Sequence, residues 1–129
     1  MPRLAAFLSL VALVGCADIG GVCTEEYRAY IVEVVGTDGD AIADLNARTV
    51  VVETGRVLGR PGGDEDAGRP GTYYVATDSN GDEMREGQTA LSFVAENDTL
   101  RASADYVFAF DGCHVSLVSG PAQIVAGRR

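Results

Sequence analysis

His114, Cys16, Cys23 and Cys113 are among the side chains of this 129-residue chain whose types suit acid–base, metal or covalent chemistry. His114 is the only histidine, so a hydroxyl–imidazole–carboxylate relay assembled from distant residues would have to run through it. Its neighbours Gly112, Cys113 and Val115 supply no nucleophile and orienting acid in recognisable order, and their strand context predicts a packing or surface role for the ring. Arginine supplies every formal cation, which excludes an amine nucleophile other than a free chain terminus. Glu25-Glu26, Asp64-Glu65-Asp66 and Asp82-Glu83 read as solvated loops, because a catalytic carboxylate pair needs a cleft to set its spacing. Asp78-Ser79-Asn80-Gly81-Asp82 places side-chain oxygens at alternating positions, like the start of an EF-hand loop. Its sixth position, however, is Glu83 instead of glycine, and its twelfth is Thr89 instead of a bidentate glutamate. A tight hairpin turn through Asn80-Gly81 is the expectation there, and Asn97-Asp98-Thr99 also suits a turn.

Arg3 is followed by an uncharged apolar run over residues 4–14, too short to span a bilayer as a permanent helix, and then by small Gly15 and Cys16. This order resembles a bacterial lipoprotein signal peptide. The resemblance implies that residues 1–15 are cleaved, and that Cys16 takes a diacylglyceryl thioether and becomes an acylated N-terminus. More than one buried acyl chain, at about 0.8 kcal/mol per methylene, makes such a membrane anchor effectively permanent. Ala17 after Cys16 resembles the outer-membrane sorting default, while Asp18 one position further leaves inner-membrane retention open. Residues 16–22 then form the lipidated start and a glycine-containing flexible spacer. Beyond the signal remain about 114 residues, enough for one domain with its own core. The formal charge of −9 disfavours nucleic acid and anionic headgroups as partners and favours solubility.

With Cys16 assigned to lipid, Cys23 and Cys113 remain in a compartment where thiols are oxidised, and a disulfide between them is expected. Closing a loop of nearly the whole domain would contribute about 4 to 5 kcal/mol in the chain-entropy picture. A metal site with His114 is the alternative, but it lacks the usual fourfold ligand set, and no metal or cofactor is expected.

The elements that would position these residues have a period near two. Tyr30, Val32 and Val34 share one face of a first strand, and Thr37-Asp38-Gly39-Asp40 turns the chain. Val50 and Val52 mark a second strand, Tyr73 and Val75 a third, Leu91 and Phe93 a fourth. Tyr106, Phe108 and Phe110 alternate with Val107, Ala109 and Asp111 in the clearest half-buried strand. Val115 and Leu117 follow, and residues 124–126 close the domain. About seven short strands with regularly spaced turns predict an all-β fold, an antiparallel seven-stranded β-sandwich over residues 23–126 with a tail at 127–129.

Tyr30-Ile31-Val32-Glu33-Val34-Val35, followed by Asp38-Gly39 and Ile42, resembles the opening of carboxypeptidase regulatory-like, or transthyretin-like, β-sandwich domains, an immunoglobulin-like class. Ala41 stands where those domains usually carry proline. Phe110-Asp111-Gly112-Cys113-His114-Val115 is similar to the C-terminal signature of small bacterial lipoproteins with such a domain, in which an early cysteine, here Cys23, is available to the late one. The resemblance implies a structural or interaction module without catalytic residues. The expectation is therefore a non-enzymatic, lipid-anchored envelope protein that supports or binds another envelope protein. The alternative is a module binding calcium or a glycan through the long irregular stretch 56–71.

Overall fold

Alternating burial along the chain builds two sheets that face each other across one apolar core. The computed structural model describes residues 22–59 and 67–129. Among these residues the strands are β1 (Ala29–Val35), β2 (Asn46–Val51), β3 (Thr72–Thr77), β4 (Gly87–Glu96), β5 (Leu100–Phe110), β6 (Val115–Ser119), β7 (Gln123–Val125) and β8 (Gly127–Arg128). One sheet has the order β3-β1-β7; the other runs β2-β4-β5-β6, with β8 also paired to β5. No helix among the described residues is long and apolar enough to cross a membrane.

Val32, Val34, Tyr73 and Val75 from the smaller sheet meet Leu91, Phe93, Ala95, Ala102, Tyr106 and Phe108 from the larger, all buried. The rings of Tyr30 and Phe108 pack edge to face with centroids 5.1 Å apart, tying the first strand to the long central one. On β2 the buried face is Ala47, Thr49 and Val51, so Val50 and Val52, the pair that signals the strand, point outward, with Val52 59 % exposed. Alternation alone cannot orient a strand whose two faces both carry apolar residues.

Three features depart from the expected antiparallel seven-stranded sandwich. β7 lies parallel to β1, pairing Glu33 with Gln123 and Val35 with Val125. The chain leaves β6 in the larger sheet and crosses to the smaller one, where it enters the far side of β1 in the same direction. Tyr106 fixes that crossing by donating its hydroxyl proton to Pro121 O at 2.7 Å. At Gly120, φ is +142°, and a Cβ would lie 2.1 Å from the Tyr106 ring, so only glycine fits. The last residues, expected as a tail, are tied to the domain: Arg128 pairs with Leu100 in β8, and Arg129 N–H donates to Thr99 O at 3.0 Å. β5 is longer than β6, and its first residues take β8 as a partner instead.

The third departure is at Ser79-Asn80-Gly81-Asp82, where a 3-10 helix, Asp78–Glu83, replaces the hairpin turn. β3 and β4 belong to different sheets, so this segment bridges layers instead of joining paired strands. Buried Asn80 accepts the Thr77 main-chain N–H through Oδ1 at 2.9 Å and donates through Nδ2 to Gly59 O at 2.7 Å. Gly81 is needed for proximity, since a Cβ there would sit 2.6 Å from the Phe110 ring.

Candidate functional site

The β5–β6 connection, Asp111-Gly112-Cys113-His114, is a local turn built by one carboxylate. Asp111 Oδ1 accepts the main-chain N–H groups of Cys113 at 2.8 Å and His114 at 2.7 Å. Those bonds, His114's first and then Cys113's, hold the Asp111 carboxyl below the ordinary carboxylate range. Gly112 takes φ +95°, the left-handed conformation the turn requires. The turn presents Cys113 and His114 side by side to the segment that leads into β1.

Cys23 and Cys113 form a disulfide, with Cα atoms 5.3 Å apart across a sequence separation of 90. Next to it Thr24 Oγ1 lies 2.8 Å from His114 Nε2, and His114 Nδ1 lies 2.7 Å from Asp78 Oδ2. Asp78 Oδ2 also accepts the Arg28 main-chain N–H at 2.8 Å, and Oδ1 accepts the Val115 N–H at 2.8 Å. Asp78 N–H donates in turn to Arg28 O at 2.9 Å, and the Arg28 guanidinium donates to Ser116 Oγ at 3.3 Å. Three separate stretches, residues 23–28, the start of the 3-10 helix and the start of β6, therefore converge on one carboxylate.

Burial pushes the Asp78 carboxyl upward. The hydrogen bonds from His114, Val115 and Arg28, with the imidazole's charge, outweigh that and hold it below the ordinary range. An ionised Asp78 only accepts, so His114 Nδ1 is the donor; in the neutral ring Nε2 then accepts the Thr24 hydroxyl proton. The ring is 8 % exposed, whereas Thr24 is exposed. Chemically the arrangement can do two things. It clasps the N-terminal segment to the domain, and it aligns a hydroxyl, an imidazole and a carboxylate in the order of a proton relay.

The residues singled out from sequence divide accordingly. Cys23, Cys113 and His114 come together. Asp78 and Asn80 do not point at a common cation: the first faces β6 and the second faces Thr77 and Gly59. Cys16, residues 60–66 of the 56–71 stretch and Asp64-Glu65-Asp66 lie outside the described residues. The flanks of that stretch are fastened, with Leu58 N–H donating to Thr49 O at 2.9 Å and Ala67 N–H to Thr72 O at 2.7 Å. Among the described residues no group of three or more His, Cys, Asp or Glu is disposed to hold a metal ion. Thr24 and Asp78 carry no signal in sequence as His114's partners, standing 90 and 36 positions from it.

Comparison with family models, curated proteins and solved structures finds no match to this chain.

Proposed function

We propose that this chain is a non-catalytic, lipid-anchored protein of the bacterial cell envelope, with a β-sandwich module that supports or binds another envelope protein. The observation that carries the reading is the Cys23–Cys113 disulfide with the Asp78 clasp beside it. Cys23 stands seven positions after Cys16, so force transmitted through a lipid anchor would enter the domain at a covalent bond instead of at a strand end that can fray. The Cys16 signal supplies the membrane, the outer one by the residue that follows it. The carboxypeptidase regulatory-like resemblance supplies the type of module, an immunoglobulin-like sandwich used for interaction.

The deciding experiment is the intact mass of the protein purified from the membrane fraction of its own cells, alkylated with and without reductant. A chain beginning at a lipid-bearing Cys16, with two thiols exposed only after reduction, is the expected result. An unlipidated chain in the soluble fraction would overturn the anchor, and cross-linking in intact cells that returns no reproducible protein partner would overturn the interaction role.

A further inference from the structure

The disulfide accounts for Cys23 and Cys113, but not for the exposed hydroxyl beside them, which is aimed at a buried imidazole. We infer that Thr24 is an acylation site, a hydroxyl activated by His114 and Asp78 that takes an acyl group from a neutral ester or thioester. The geometry carries this: Oγ1 to Nε2 is 2.8 Å and Nδ1 to the carboxylate is 2.7 Å. The side chains of the base and its orienting acid are each 9 % exposed, while Thr24 is an exposed residue that a donor can approach. A threonine hydroxyl is a poor nucleophile unless a base removes its proton as it attacks, and a carboxylate on the far ring nitrogen holds the tautomer that does so. The disulfide one residue away fixes the main chain at Cys23, so the aligned state is already ordered before a donor arrives.

The step balances within the site. Thr24 Oγ attacks the acyl carbonyl carbon and its proton passes to His114 Nε2. The tetrahedral intermediate then collapses with cleavage of the bond to the leaving alcohol or thiol, which takes that proton from Nε2. An ester on Thr24 and a neutral imidazole remain. The main-chain N–H groups of Thr24 and Glu25 donate no hydrogen bond among the described residues. Glu25, with Glu26 paired to Arg28 at 3.5 Å, leaves an excess negative charge beside Thr24, which selects against anionic donors. The modification is stoichiometric, and it is independent of whether Cys16 carries lipid.

The test is acetylation of the full-length, disulfide-intact protein in detergent with p-nitrophenyl acetate, followed by peptide mapping of the acetyl group. The expected result is acetyl on the Thr24 peptide, accumulating about 100-fold faster than on Ser79 or Ser116, the size of a general-base contribution. Thr24→Ser should keep the label and Thr24→Val should lose it from that peptide, even if the imidazole still releases nitrophenol by itself. His114→Gln should slow Thr24 labelling by about 100-fold. Equal labelling of Thr24 and Ser79 in the unaltered chain would overturn the inference, and so would Thr24 labelling unchanged in a folded His114→Gln variant. If that variant does not fold, the comparison of hydroxyls in the unaltered chain decides alone.

Discussion

The two ends of the long central strand β5 are closed by opposite means. At its Phe110 end stand a disulfide and a buried imidazole–carboxylate pair whose acceptors are filled by main-chain donors. At its Leu100 end Glu96 accepts Arg48 at 3.1 Å and Arg101 at 3.2 Å, both arginines about half exposed, and the short β8 completes the edge. Both ends use charged groups, yet the consequences differ. Removing a buried acceptor leaves donors stranded without water, whereas removing an exposed ion-pair partner lets solvent replace it. One end is cross-linked covalently, and the other only blunts a sheet edge.

Measurements at four places in the molecule sharpen or break that contrast. The largest effect belongs to the disulfide: reduction, or Cys113→Ala, should lower stability by about 4 to 5 kcal/mol, read as a fall in the urea midpoint. An unchanged midpoint under reductant would mean that the bridge adds nothing to stability. Second comes Asp78→Ala, which strands the Arg28 and Val115 N–H groups and His114 Nδ1 and should cost about 2 kcal/mol. The same carboxylate predicts a pH effect. Its folded value is lowered, so its stabilisation is full above the ordinary Asp value and is lost as pH falls through the lowered one. Asp78→Asn should therefore flatten the acid limb of the stability curve below about pH 4.

Between the two ends, Tyr106→Phe removes only the bond to Pro121 O and should cost about 1 kcal/mol in thermal or urea unfolding. Tyr106 is also pushed up to about 12 by burial, so its hydroxyl should resist alkaline titration until the sandwich opens. Smallest of all, Arg101→Ala should shift the midpoint slightly in dilute buffer and not at all in concentrated salt. A salt-resistant loss there would mean that the Leu100 end is built more like the Phe110 end than its exposure indicates.

Much of the framework was legible in the residues because its signals are local. Tyr106 and Phe108 alternate with smaller outward residues along one strand, and period two identifies that face without knowledge of the partner sheet. Cys23 and Cys113 were identifiable as partners once Cys16 was read as a lipidation site, and the disulfide joins those two. Val50 and Val52 marked the second strand but not its buried face, which Ala47, Thr49 and Val51 hold. Asn80-Gly81 has the composition of a hairpin turn, but whether it folds as one depends on whether the flanking strands pair, and these do not.

By itself the sequence determined that short half-buried strands would form and that any relay through an imidazole would use His114. Composition and spacing act within a few residues, and such properties need no knowledge of what lies across the core. Tertiary structure alone decided that β7 runs parallel to β1, that residues 127–129 join the larger sheet, and that Thr24, His114 and Asp78 stand in one hydrogen-bonded line. Each of these depends on segments far apart in the chain meeting at angstrom separations, and those meetings are set by how the two sheets pack and cross.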